Sequence, residues 1–223
     1  MENDGIRGII ALMSGLLYLF GSLIYFNKHK LSLIKHVYIT KLAKHAIGLL
    51  TIVFTLIFGL TISSFVPELF LHGWTYYLFG ESHNIFVAPL TISTSAQLSN
   101  YWYIFLIFYL VFILAIPFIA FVEESIFRKG HFYWKNIIKQ SILFGLCHFF
   151  VGLSFIWCLI LIIPGLVFGW GYRKAYLRSI TSGESEIVAS NAGLLYSTTI
   201  HSLYNFYALS FISFPLCQDS CPI

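Results

Sequence analysis

Long apolar runs are the feature that most constrains how this chain can fold. Six segments hold the roughly 20 mainly apolar residues that a helix needs to cross a membrane, or nearly that many. They are residues 5–26, 46–66, 101–122, 141–153, 155–172 and 187–216. Only 10% of the residues are charged, against about 25% in soluble domains. The sequence therefore predicts an all-α fold, a polytopic membrane helix bundle of about six transmembrane helices in one integral membrane domain, 1–223.

Basic residues are concentrated in alternate connections between these runs, and their placement predicts an orientation. The connection from Lys28 to His45 carries five lysines and no acid, whereas 67–100 carries Glu68 and Glu81 and neither Lys nor Arg. The positive-inside rule puts the basic connections in the cytoplasm. Residues 1–100 are therefore predicted to hold two helices, a basic inner loop and an outer loop, with both chain termini outside. The basic residues form no patch, so no nucleic-acid partner is expected.

The two ends of the chain and its cysteines carry smaller expectations. The N-terminus is acidic and no small-residue cleavage site follows the first apolar run, so removal of a signal peptide is not expected. Cys217 and Cys221 can form a disulfide if the C-terminal tail lies in an oxidising compartment. Cys147 and Cys158 lie in apolar segments and are expected to be packing residues. The expected location is the membrane, as a multi-pass protein, and the plasma membrane if the source is a bacterium.

A few ionisable residues interrupt the apolar helices. Each such group costs about 2.5–3.5 kcal/mol on insertion scales, so each is a candidate functional residue. Glu124 and Arg128 are four residues apart in the favourable acid-first order, which predicts a structural ion pair at the membrane boundary. Glu123 points about 100° away from Glu124. It has no obvious partner on its own helix, which leaves it free for chemistry.

Two histidines occur in other apolar segments. His148 follows Phe144 by four residues, and a lone histidine of this kind is more often a packing residue than a ligand. His201 and Asn205 are also four apart, so both side chains lie on one helix face. Two polar groups at that spacing need partners from neighbouring helices. The candidates therefore come from three predicted helices, which is the distribution of a site built between helices.

One carboxylate, two imidazoles and a carboxamide suit the hydrolysis of an amide bond. A carboxylate can accept a proton from water, and N–H groups can stabilise the oxyanion that forms on the carbonyl. Alternatively, Glu123, His148 and His201 can be zinc ligands, with an open position for the attacking water. The H-E-x-x-H and G-x-S-x-G motifs are absent. Zinc chemistry and metal-free glutamate chemistry both remain open at this point.

Three motifs occur in order on separate predicted helices. They are E-E-x-x-x-R at 123–128, F-x-x-x-H at 144–148 and H-x-x-x-N at 201–205. Together with the glycine-rich stretch PGLVFGWGYRK, they resemble the motifs of the CPBP intramembrane proteases. That family contains CAAX prenyl endopeptidases and bacterial bacteriocin-processing and self-immunity (Abi) proteins. The resemblance covers about 101–210, which would be the catalytic core.

The resemblance implies an intramembrane endopeptidase that cleaves a membrane-associated peptide near the cytoplasmic face. In such an enzyme a glutamate activates water with help from a histidine, a second histidine and an asparagine form the oxyanion hole, and a Glu–Arg pair supports the site. By this resemblance, Glu123 would activate water and His148 would assist it. His201 and Asn205 would form the oxyanion hole, and Glu124 and Arg128 would support the site. Members of the family are commonly labelled metalloproteases, although a metal-independent mechanism has also been argued for them. One departure is Lys129, which separates the motif arginine from Gly130.

Two further classes of protein are compatible with the sequence. One is a non-catalytic immunity or scaffolding protein that keeps the same fold and binds a membrane partner. The intact motifs weigh against that class. The other is a transporter that uses Glu123 and the histidines as a proton relay. The clustering of polar residues toward one side, with no inverted repeat, weighs against a transporter.

Overall fold

The computed structural model of the protein describes residues 32–74 and 102–218, together with Gly21 and Tyr25. All regular elements in these ranges are helical, which confirms the predicted all-α class. Short 3₁₀ turns cover Glu68–Phe70 and His148–Val151. The α-helices are α1 (Ser32–Tyr38), α2 (Leu42–Ser63), α3 (Trp102–Phe127), α4 (Trp134–Cys147), α5 (Phe155–Ile160), α6 (Ile162–Thr181) and α7 (Glu186–Gln218).

Three segments of the described chain are long and apolar enough to cross a membrane. They are Leu42–Ser63, Tyr109–Phe127 and Phe155–Thr181. Large apolar side chains such as Phe54 and Ile57 are exposed on the bundle surface, as expected where a helix faces lipid. These features indicate a membrane protein. Apart from Gly21 and Tyr25, the predicted helix 5–26 lies outside the residues whose side chains the structure describes, and so does the Cys217–Cys221 pair. The count of six spans and the outside termini stay predictions.

The segment predicted to cross the membrane at 141–153 has a different extent in the structure. Helix α4 begins earlier, at Trp134, and its 14 residues extend about 21 Å. This is shorter than the roughly 30 Å hydrocarbon core. After the 3₁₀ turn, Gly152 adopts a φ of 93°, a left-handed conformation that glycine adopts without strain. The chain therefore turns at the predicted place, and 141–172 forms more than one helix.

The basic connection between the first two predicted spans is not simply a loop. It contains α1, whose Leu33 and Val37 are 4% and 0% exposed. Both pack against Leu203 of α7, and the hydroxyl of Tyr38 donates a hydrogen bond to the backbone oxygen of Ile113 in α3, at 2.6 Å. The apolar residues of α1 lie four apart on one face, and their burial holds this short helix against the bundle.

Helix α7 lies at the centre of the described bundle and contacts α1, α2, α3 and α6. Gly48 of α2 lets that helix come close to α7, because an added Cβ atom would lie 2.9 Å from the Cβ of Leu203. A core cluster joins α2, α4, α6 and α7. Its buried members are Ile52, Phe144, Phe168, Ile200 and Tyr204. This cluster lies directly beside the polar residues of α3 and α7 and fixes their separation.

Candidate functional site

The four residues predicted to be catalytic line one cavity. Glu123 belongs to the last turns of α3, His148 begins the 3₁₀ turn after α4, and His201 and Asn205 lie midway along α7. The cavity has a volume of about 270 Å³, and all four side chains contribute to its wall. The structure therefore brings together residues that are up to 82 positions apart in the chain.

His201 lies between two carboxylates. Its Nδ1 atom is 3.0 Å from Oε1 of Glu124, and its Nε2 atom is 3.4 Å from Oε2 of Glu123. The shorter contact is a hydrogen bond, and because a carboxylate accepts, it places a proton on Nδ1. The longer contact exceeds the roughly 2.7–3.2 Å donor–acceptor distance of such a bond. It is still short enough for an ion pair. The ring is therefore oriented by Glu124 and presents Nε2 to Glu123.

The two carboxylates have different surroundings. The side chain of Glu124 is 0% exposed, whereas that of Glu123 is 29% exposed and borders the cavity. Adjacent residues of a helix point about 100° apart. The two glutamates therefore lie on different faces of α3, as the sequence predicts. Only Glu123 is accessible to a water molecule or a peptide in the cavity.

Glu124 also pairs with Arg128, as the four-residue spacing predicts. The Nε atom of Arg128 is 3.5 Å from Oε2 of Glu124, and both side chains are fully buried. Nη1 of Arg128 donates a hydrogen bond to Oγ of Ser141, at 3.2 Å. The pair was expected at the membrane boundary, but it lies inside the bundle, where a charge needs a compensating partner. The contact between Glu124 and His201 was not predicted.

The charges of this cluster balance in one protonation state. Glu123 and Glu124 together contribute two negative charges, and Arg128 contributes one positive charge. The total is zero when the ring of His201 carries both of its protons. An unbalanced charge is costly away from water, so the two carboxylates leave room for one positive charge besides that of Arg128.

His148 is oriented by the backbone of its own helix. Its Nδ1 atom is 2.7 Å from the backbone oxygen of Phe144. Since a carbonyl oxygen only accepts, Nδ1 donates, and the neutral ring keeps a lone pair on Nε2. His148 also lines the cavity. Its Nε2 atom is therefore suited to accept a hydrogen bond from a water molecule there.

Aromatic rings enclose His201. Phe168 of α6 stacks on the imidazole with ring centroids 4.4 Å apart and an interplanar angle of 16°. Phe144 meets the same imidazole edge-on at 5.4 Å and contacts His148 at 4.7 Å. Phe144 thus touches both histidines, which gives the phenylalanine of the F-x-x-x-H motif a physical role.

Sequence reasoning did not identify Phe168 or Ser141 as part of the site. Phe168 lies in the glycine-rich stretch of α6, and that stretch was the available signal. An added Cβ atom at Gly165 would lie 3.2 Å from the Phe144 ring and 3.3 Å from Nη2 of Arg128. The glycine therefore leaves room for the aromatic and arginine side chains. Ser141 carried no comparable signal, because its role depends on how α4 packs against α3.

The remainder of the cavity wall is apolar. On α3 it continues from Glu123 at intervals of four, seven and eleven residues toward the N-terminal end of the helix. On α7 it continues beyond Asn205 toward the C-terminal end. The apolar wall residues on these two helices are Phe112, Ile116, Ile119, Ala208 and Leu209. The cavity thus has a polar end, formed by the ionisable residues, and an apolar end deeper in the bundle.

The arrangement of the side chains bears on metal binding. Within residues 32–74 and 102–218, no three His, Cys, Asp or Glu side chains are grouped so that they could hold a metal ion. Glu123, His148 and His201, the predicted zinc ligands, line one cavity without converging on one point. Each histidine does bond its Nδ1 to an oxygen, as zinc-binding histidines commonly do. The set as it stands does not fit a three-ligand zinc site.

The departure at Lys129 leaves the turn after α3 intact. The helix ends at Phe127, and Gly130 adopts a φ of 81°, which an L side chain rarely adopts. The N–H of Gly130 donates a hydrogen bond to the hydroxyl of Tyr172 in α6, at 3.0 Å. The glycine therefore makes this turn and ties it to α6.

Comparison of the chain with family models, curated proteins and solved structures found no match. The likeness to known proteins therefore rests on the three short motifs. The structure adds an independent observation, because residues from all three motifs line one cavity, namely Glu123, Phe144, His148, His201 and Asn205. What the site can do follows from that geometry.

Proposed function

We propose that this protein is an intramembrane endopeptidase, similar in chemistry to the CPBP proteases whose motifs it resembles. It hydrolyses a peptide bond of a membrane-associated peptide or protein near the cytoplasmic face. The observation that carries the proposal is the pair of Glu123 and His201, 3.4 Å apart. The pair lies on the wall of a cavity that also contains His148 and Asn205.

Glu123 acts as the general base. Its carboxylate takes a proton from a water molecule, and the oxygen of that water attacks the carbonyl carbon of the substrate. The lone pair on Nε2 of His148 accepts a hydrogen bond from the same water and orients it. Protonated Glu123 then passes the proton to the leaving amine when the C–N bond breaks. Water is consumed, and one carboxylic acid and one amine are released.

His201 and Asn205 stabilise the negative charge that develops on the carbonyl oxygen. The Nε2–H of the imidazolium and the side-chain amide of Asn205 donate to this oxyanion. When Glu123 becomes neutral, the oxyanion takes over its negative charge beside His201. The charge balance of the cluster is therefore kept during the attack, and no step passes through a metal.

Glu124 and Arg128 are positioning residues. Glu124 holds Nδ1 of His201, and Arg128 in turn compensates the buried Glu124 carboxylate. Neither residue lines the cavity, so neither is expected to touch the substrate. Their effect on the reaction is exerted through the orientation and charge of the His201 ring.

The proposal is tested by replacing the base with its neutral isostere. Purified wild type and Glu123→Gln are reconstituted in vesicles with a library of apolar peptides, and cleavage is followed by mass spectrometry. Loss of general base catalysis should lower the rate about 10²- to 10⁴-fold. The melting temperature should change little, because Glu123 is partly exposed at the cavity. Glu184→Gln, an exposed acid between α6 and α7, is the matched control and should cleave like wild type.

Two outcomes contradict the proposal. Cleavage by Glu123→Gln at the wild-type rate would remove the residue from the mechanism. Absence of cleavage by wild type, with the biological activity of the protein kept in Glu123→Gln, would indicate the non-catalytic binding protein of the same fold.

A further inference from the structure

A second concavity among the described residues lies apart from the catalytic cavity. It is an open groove of about 670 Å³ between α1, α3 and α7, and it shares no lining residue with the cavity. Its apolar floor comes from three helices, and basic and polar groups stand at its rim. The floor includes Leu33, Phe121 and Leu194, and the rim includes Lys35, His36 and Asn191.

The rim of the groove carries basic side chains. Lys35 and His36 are both exposed, and no acidic side chain is among the described residues that line the groove. The pKa of His36 is lowered by partial burial and by the nearby positive charge of Lys44. A negatively charged group placed at the rim would therefore meet Lys35, and no carboxylate among the described lining residues would oppose it.

The groove lies close to the ends of the long helices. Phe121 is six residues before the end of the segment Tyr109–Phe127, about 9 Å along the helix. Asn191 is five residues after the start of α7 at Glu186, about 7.5 Å along that helix. The basic rim is therefore at a level where polar lipid headgroups meet the hydrocarbon, and the apolar floor extends toward the acyl chains.

We propose that this groove binds an anionic phospholipid. The phosphate lies against Lys35 and His36, and an acyl chain covers Leu33, Phe121 and Leu194. Basic pockets between transmembrane helices are a known type of site for anionic lipid headgroups. This assignment is independent of the proposed proteolysis, since no catalytic residue takes part in it.

Lipid in the groove would also stabilise α1. This helix has only seven residues, too few to be stable alone, and it is held by the packing of Leu33 and Val37 against Leu203. Leu203 is two residues from His201. A lipid that bridges α1, α3 and α7 therefore adds contacts close to the catalytic helix and should raise the melting temperature of the whole protein.

The experiment compares lipids of different charge on the full-length protein. Wild type in detergent is mixed with phosphatidylglycerol or phosphatidylcholine, and bound lipid is counted by native mass spectrometry while melting is followed in parallel. Wild type should retain phosphatidylglycerol in preference to phosphatidylcholine, and Lys35→Gln/His36→Gln should lower the affinity for phosphatidylglycerol roughly tenfold. The control variant is Lys135→Gln/Lys139→Gln, which removes two exposed lysines of α4 outside the groove. It should bind phosphatidylglycerol like wild type.

Three results would overturn the proposal. The first is equal retention of the two lipids by wild type. The second is the same loss of phosphatidylglycerol in both double variants, because this would show general surface charge instead of a defined site. The third is full protection from melting by inorganic phosphate alone, because a free anion would then be the ligand and the apolar floor would have no part in binding.

Discussion

His201 is the residue on which the arrangement of the site depends most. It contacts two carboxylates through its two ring nitrogens and is stacked on Phe168. The side chain is only 2% exposed, so its position is set by the protein and not by solvent. Placing a polarised N–H at a fixed point before the reaction is the main requirement of an oxyanion hole.

Asn205 provides a test of the proposed oxyanion hole. Asn205→Ala removes one donor and should lower kcat by about 10²- to 10³-fold. The melting temperature should change little, because Asn205 is half-buried at the cavity wall. Steady-state cleavage of the best peptide from the library gives kcat and KM separately. A rise in KM alone would show that Asn205 binds substrate without stabilising the transition state, and Asn136→Ala on α4 is the control.

Arg128 is expected to be required for stability as well as for orientation. Arg128→Ala leaves the Glu124 carboxylate buried beside His201 without its cation, which should cost about 3–5 kcal/mol of unfolding free energy. Thermal unfolding in detergent measures the loss, and Arg178→Ala, at an exposed position of α6, is the control.

A double variant measures the interaction between Glu124 and Arg128 apart from the effect of replacing each side chain alone. Because the pair is buried in contact, Glu124→Gln/Arg128→Met should be less destabilised than the sum of the two single variants. If the single losses add, the two side chains do not interact in the folded protein.

At the scale of the elements, the short helix α4 and the segment α5–α6 set the position of His148. Gly145 of α4 faces the junction of α5 and α6 at very short range. An added Cβ atom would meet the backbone oxygen of Cys158 and would lie 3.1 Å from the backbone nitrogen of Ile162. Since backbone atoms cannot move aside as a flexible side chain can, the helices themselves would have to separate.

Gly145→Ala should therefore destabilise the protein by about 1–3 kcal/mol, the usual cost of overpacking. It should also lower activity, because Phe144 and His148 lie within one turn of the substituted position. The matched control is Gly21→Ala, where an added Cβ atom meets nothing within 4 Å. Melting temperatures of the two variants test the expectation, and equal values would mean that α4 can shift without cost.

At the scale of the whole molecule, one prediction concerns the orientation in the membrane. Residues 67–100 carry no Lys or Arg, whereas Arg173, Lys174 and Arg178 lie near the end of α6. This distribution predicts that the connection after α2 lies outside and the connection between α6 and α7 lies inside. Glu68 and Glu184 are exposed acids in these two connections. Each can be replaced by a single cysteine in a variant that lacks the native cysteines.

A membrane-impermeant maleimide applied to intact cells should label Glu68→Cys and leave Glu184→Cys unlabelled until the cells are permeabilised. The reverse pattern would invert the predicted topology. The proposed peptidase site would then face the outside, and its substrates would be sought in that compartment. The result bears on location alone, because the cavity and its residues are the same in either orientation.

The sequence determined the features that depend on local spacing. Apolar runs predicted an all-α membrane protein, and the four-residue intervals predicted the Glu124–Arg128 pair and the shared face of His201 and Asn205. These hold because the geometry of one helix is repeated in every turn.

The tertiary structure decided which helices are neighbours. The contact of Glu124 with His201 joins positions 77 residues apart, and the stacking of Phe168 on that histidine joins α6 to α7. The burial of α1 also depends on its packing partners. Helical periodicity states which face of a helix is apolar or polar. It does not state which other face will cover it, since that choice depends on how all the helices fill the space between them.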